Sequence, residues 1–131
     1  MITFKSERLR KEFSDDITDR LRFILYAVDG YSVQHYRYGI RITELIRTPE
    51  ENEAVDGVFN SKHLANKDDK AEAADFVYSS GRVPLDWDDN IKAFIGGSLW
   101  GVDVVITPHG TGVHVHLECD PKPPDKPVVI V

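Results

Sequence analysis

The chain has 131 residues, 22 acidic and 16 basic, for a formal net charge of −6 at neutral pH. A domain of this length buries a core without disulfides, and the single cysteine, Cys119, excludes an internal disulfide framework. The absence of a Lys/Arg stripe to neutralise phosphates argues against nucleic acid as a partner, and no apolar run approaches the ~20 residues that span a bilayer.

In chain order, Met1 to Arg8 lacks the apolar core of a signal peptide, so synthesis in the cytoplasm is expected. Ser14-Asp15-Asp16 reads as a helix N-cap, followed by Ile17, Leu21, Ile24 and Leu25 at helical spacing, with Gly30 as the stop. A strand is expected over 40–46, closed by Arg47-Thr48-Pro49, because Pro49 offers no ladder donor and favours extended backbone before it. A short helix over 50–59 and a strand over 71–78 follow. Pro84 to Leu99 predicts a helix with Leu85, Ile91, Phe94, Ile95 and Leu99 on its apolar face, weakened at Gly96-Gly97. Val102 to Ile106 and Val113 to Cys119 read as strands joined by a Pro/Gly-rich loop over 107–112. The Pro-rich residues 120–131 read as an extended tail. This order predicts a single α+β domain over 1–131, core 15–119, with a small central antiparallel sheet flanked by helices.

The chemistry concentrates in two segments. In Gly112 to Glu118, strand alternation sets His114, His116 and Glu118 on one face and Val113, Val115 and Leu117 on the other. Taken alone, such a pair reads equally well as one surface and one hydrogen-bonded core histidine, although histidine is not a favoured core residue. Upstream lie Ser61-Lys62-His63-Leu64 and Ala71 to Phe76. On the second of these, Asp75 faces away from Ala74, Phe76 and Tyr78 and shares its side with Ala73 and Ala71, small residues that leave room beside it. Zinc takes imidazole nitrogens and carboxylate oxygens, with three protein ligands in catalytic sites. His63, Asp75 and one histidine of the later pair make such a set. Cys119 falls on the apolar side of its strand and reads as a buried structural thiol. His35 and His109 lie outside both clusters and read as surface or loop residues.

These segments together resemble the zinc peptidases that group lysostaphin, the D-alanyl-D-alanine metallopeptidases and the hedgehog domain. The shared pattern is Ser-x-His, a later Asp, and a closing His-x-His or acid-x-x-His on a strand. Here it reads Ser61-Lys62-His63, Ala73-Ala74-Asp75 and His114-Val115-His116. Ile42 to Glu50, with Arg47-Thr48-Pro49 inside it, is similar to the strand and Arg-Ser/Thr-Pro segment ahead of the first ligand. The likeness keeps the same order over residues 15–119 and is greatest to the D-Ala-D-Ala carboxypeptidase and phage endolysin branch.

The resemblance implies a hedgehog/D-Ala-D-Ala-peptidase-like fold with Zn2+ on His63, Asp75 and His116. It implies His114 as the catalytic group that takes a proton or steadies an oxyanion. Arg47 would grip a substrate carboxylate with its planar fork, and Glu118 would orient an imidazole. The exchange of roles between His114 and His116 stays open. The implied substrate is a peptidoglycan peptide carrying D-amino acids, met at the cell wall if the protein is a phage lysin. Two rivals compete: a non-catalytic zinc-stabilised module, such as a phage structural component, and a metal-free α+β domain with both histidines hydrogen-bonded. The chain departs from the pattern in two places. Eleven residues, rather than a short glycine turn, separate His63 from Asp75. The position three residues before the last ligand, where the branch often carries a carboxylate base, is Val113 counted from His116 and Thr111 counted from His114, and neither takes a proton.

Overall fold

A computed structural model of the chain describes residues 1–55, 57, 61–78, 87–95, 102–109 and 112–120. Ser6 opens the first helix, α1 (Glu7–Asp15), its hydroxyl accepting the Leu9 amide, and Leu9 and Phe13 bury one stripe of it. The Ser14-Asp15-Asp16 segment, predicted as an N-cap, therefore ends a helix instead. The next helix, α2 (Asp19–Tyr36), takes Thr18 as its cap, the hydroxyl accepting the Leu21 N–H at 3.1 Å. It also runs through Gly30 rather than stopping there. A mid-helix glycine costs about 1 kcal/mol, and the fully buried Leu25, Val28 and Ser32 on either side anchor the helix regardless.

Strand β1 (Thr3–Phe4) precedes α1, and β2 (Ile40–Glu44) follows α2. Helix α3 (Pro49–Ala54) starts with a capping box: Thr48 and Glu51 exchange side-chain-to-backbone hydrogen bonds, both 3.1 Å. After it come β3 (Ala73–Tyr78), α4 (Trp87–Ile95), β4 (Val102–His109) and β5 (Gly112–Cys119). They form one sheet in the order β1-β2-β3-β5-β4. The protein is thus a small α+β domain. The sheet is mixed rather than antiparallel throughout, because the two-residue β1 pairs parallel to β2. The pair of helices between them carries the chain back to the starting end of the sheet, as a parallel pairing requires. β4 and β5 pair out to His109↔Gly112, so the connection is tighter than the predicted 107–112 loop, and His109 ends a strand. Pro108 is tolerated there because β4 is an edge strand. Pro84, Leu85, Gly96 to Leu99 and the tail over 121–131, all read from sequence, lie outside the described residues.

β3 lies at the centre of the sheet, and its two faces do different work. Ala74, Phe76 and Tyr78 pack with Ile40 and Ile42 of β2, with Val115, Leu117 and Cys119 of β5, and with apolar residues of α1, α2 and α4. Cys119 is buried, as expected, and burial pushes its thiol up to about 12, so it is inert at neutral pH. Ala71 was expected beside Asp75 but belongs to this core. It lies ahead of the strand, bridging to Ile17, where the alternation of β3 does not apply. The helices leave the opposite face of the sheet to Asp75, His114, His116 and Glu118. Among the described residues no helix is long and apolar enough to cross a membrane.

Candidate metal centre

Pairing of β3 with β5 is antiparallel and sets Asp75 directly opposite His116. Directly opposed side chains lie within about 5.5 Å at Cβ, and here His116 Nδ1 comes to 2.9 Å from Asp75 Oδ1. A bulge in β2 between Ile42 and Glu44 sets Glu44 against Asp75 from the other side. His63 arrives from outside the sheet. Its carbonyl accepts the Arg47 N–H at 2.8 Å, and the neighbouring Lys62 carbonyl accepts the Glu72 N–H at 2.9 Å. The Ser61 hydroxyl accepts the His63 N–H at 3.2 Å, which gives Ser61 a role in placing the imidazole.

The long segment between His63 and Asp75 folds back on itself. The Asn66 side chain accepts the N–H groups of Asp68 and Lys70 at 2.9 and 3.1 Å, closing the loop. Ala71 then returns through backbone hydrogen bonds with Asp16 and Thr18. The additional residues loop outward without separating the two side chains, as loop-closure entropy allows.

His63 Nε2 lies 3.1 Å from Asp75 Oδ1, the same oxygen that His116 Nδ1 approaches. His63, Asp75 and His116 each present one ligand atom, all within 4.8 Å of one another. Of the two histidines read from sequence, His116 is the one in this cluster. The Nε2 of His114 is 3.8 Å from the other oxygen, Oδ2, beyond hydrogen-bond range.

The outward nitrogens of both rings show why the arrangement suits a cation. His63, only 1 % exposed, directs Nδ1 at the Leu45 carbonyl 2.5 Å away. A carbonyl can only accept, so Nδ1 carries the proton, and a neutral ring then aims a bare lone pair at a carboxylate oxygen. His116 has the same difficulty: Nε2 meets Glu118 Oε2 at 3.0 Å while Nδ1 meets Asp75. Two neutral imidazoles cannot satisfy these contacts. Either each ring takes a second proton, or a divalent cation stands where the lone pairs converge. The charge is the same in both cases, since one divalent ion replaces two protons. The outward N–H groups rest on a carbonyl and a carboxylate, the partners that metal-bound histidines use. The residues present could therefore hold a metal ion.

Burial alone would raise the Asp75 carboxyl, but hydrogen bonds from His116 and His63 and their charges hold it well below the usual carboxylate range. The hydrogen bond to Asp75 raises His116, against the opposing effect of burial, and Glu118 adds to it. The sign of the pH dependence follows. For the metal-free protein, Asp75 adds stability above its unfolded pKa of 3.8 and loses it as acid protonates the folded carboxylate. His116 adds stability below its unfolded 6.5 and loses it as pH rises through the higher folded value. Chelated protein should melt highest between these limits and lower above them, whereas zinc-loaded protein should gain stability from pH 6 to 8 as protons cease to compete for the ligands. Thermal melts with chelator and with Zn2+ across that range check this; parallel slopes would refute the ligand set.

Arg47 is brought to the site, but its fork is already engaged. Its side chain is 13 % exposed, with Nη1 on Asn52 Oδ1 at 3.2 Å and Nη2 on Glu44 Oε2 at 2.9 Å. Nη2 also lies 3.8 Å from Asp75 Oδ2. Sequence reading missed Glu44, Asn52 and the Leu45 carbonyl. Glu44 carried a signal, an acid three residues before Arg47, whereas a backbone carbonyl carries none. Glu118 has the outward contact expected of it. His35 is exposed on the last turn of α2 and stacks on Tyr31 at 4.1 Å, away from the cluster.

No family model, curated protein or solved structure matches this chain at a significant level.

Proposed function

We propose that this protein is a zinc-dependent peptidase that hydrolyses peptidoglycan stem or cross-bridge peptides, in the manner of a phage endolysin or virion-associated lysin acting at the cell wall. One observation carries the reading: His63 Nε2, Asp75 Oδ1 and His116 Nδ1 converge, with both outward N–H groups held by acceptors. The choice of substrate rests on the order Ser61-x-His63, Asp75, His114-x-His116, preceded by Arg47-Thr48-Pro49, which is similar to that of the D-Ala-D-Ala peptidases. Zn2+ held there would supply Lewis acidity toward a peptide carbonyl and toward water.

The protein's own groups divide the remaining work. Leu45 O and Glu118 fix the tautomers of the two ligand rings. Asp75 uses Oδ1 toward them and turns Oδ2 toward His114 Nε2 and Arg47 Nη2, each 3.8 Å away. His114 would accept or pass on a proton. Arg47 can bind a substrate carboxylate bidentately once Glu44, whose side chain is 33 % exposed, yields its place.

The test is digestion of purified muropeptides by zinc-loaded protein, with metal content measured alongside. His114→Ala should keep one zinc per chain and lose about 10²–10⁴-fold in rate, the usual contribution of a positioned proton-transfer group. Zinc-loaded wild type that releases no peptide fragments overturns the peptidase. That outcome is the one a non-catalytic zinc-stabilised module would give, a reading favoured by Val113 standing where the related branch often has a carboxylate.

A further inference from the structure

Glu12 is a carboxylate buried where the fold alone would favour an apolar side chain. It lies on α1 between Leu9 and Phe13, the apolar stripe of that helix, and is 7 % exposed. Its Oε1 accepts the Ile46 N–H at 3.3 Å, and its Oε2 takes Arg8 Nε at 3.2 Å. The Ile46 N–H is one end of a peptide group whose other end is the Leu45 carbonyl. That carbonyl accepts His63 Nδ1–H at 2.5 Å. Carboxylate, peptide and imidazole thus form one continuous line, ending at His63 Nε2 in the metal cluster.

We propose that Glu12 is a positioning residue of the metal centre, acting on His63 through the Leu45–Ile46 peptide. A negative charge at the N–H end of an amide shifts electron density toward its oxygen. Linked hydrogen bonds strengthen one another by roughly 10–30 % each. A better acceptor at Nδ1–H makes the imidazole a stronger donor at Nε2, which is how outer partners tune metal-bound histidines. The consequence for the ion rests on the metal reading above; the hydrogen-bond line does not. A purely structural Glu12 would only tie α1 to the strand exit, and an amide oxygen can do that equally well.

Glu12→Gln separates the two roles, because it keeps an acceptor for Ile46 and removes the charge. In chelated protein at about pH 8, the His63 Nδ1–H resonance should move upfield by NMR. Co2+ and Zn2+ affinity, read by competition with a chelating dye, should fall about three- to tenfold, less than the 10–100-fold of a direct outer partner. Glu7→Gln, the same charge change on the same helix at a side chain 87 % exposed, should move neither. Arg8→Met, at a mostly exposed side chain, frees Glu12 of its counter-charge and should move the resonance downfield. If wild type binds Co2+ and Glu12→Gln matches it in both readouts, the proposal is overturned and the metal centre stands. If wild type binds neither ion, both fall.

Discussion

His63→Ala should abolish metal binding and, with it, peptide hydrolysis. Among the described residues the ring supplies one of three ligand atoms within 4.8 Å of one another, so its loss should lower zinc affinity by more than about a thousandfold, well beyond the 10–100-fold of an outer partner. Two ligands on adjacent strands cannot hold a zinc ion that wants three protein donors. The variant also leaves the Leu45 carbonyl without its donor in a buried place, which costs about 1–3 kcal/mol. It should nevertheless fold, because His63 stands outside the apolar cluster that joins the sheet to the helices. Metal analysis after dialysis, with a thermal melt of the chelated protein, checks both parts. Full retention of zinc would defeat the ligand assignment.

Asp75→Asn should have an effect of similar size with a different signature. The amide has nearly the shape of the carboxylate, so packing at the centre of β3 is preserved while the charge is lost. Zinc affinity should fall by about 10²–10³-fold, since one anionic ligand becomes a weak neutral one. Hydrogen bonding to Asp75 is the leading cause that raises His116, so in the metal-free variant His116 should titrate lower than in wild type. NMR titration of the ring reads that shift directly. Unchanged titration of His116 would mean that Asp75 does not organise the cluster. Arg47 stays paired with Glu44 in this variant, so the loss cannot be assigned to an uncompensated guanidinium.

His63, Asp75 and His116 were read from the sequence and stand together in the structure, whereas other neighbours of the cluster were not read from it. The side taken by Asp75, His114 and His116 was legible because strand alternation is a local rule, whereas His63, which lies in no strand, was singled out by its residue type and the Ser-x-His resemblance. Arg47 was legible as a neighbour of the site, but its partners Glu44 and Asn52 were not assigned, since they depend on a bulge in β2 and on the placement of α3. Glu12 was invisible: the pattern that predicted a helix start at Ser14 hid α1 altogether. The actual cap, Ser6, precedes only two buried apolar positions in the helix, too short a stripe to announce itself.

What the sequence determined by itself is the side each chemistry-bearing residue takes. Successive side chains on a strand alternate whatever the fold, so Asp75 opposes Ala74 and Phe76, and His114, His116 and Glu118 stay together. Which histidine meets the carboxylate was decided only in three dimensions. A slip of β5 by two residues would keep every side chain on its face and still bring His114 to Asp75. The observed pairing of Asp75 with His116 is chosen by the fit of Val115 and Leu117 against Phe76, Ala74 and the helices beneath them. Contacts between residues far apart along the chain set that register, and so they set which histidine joins Asp75.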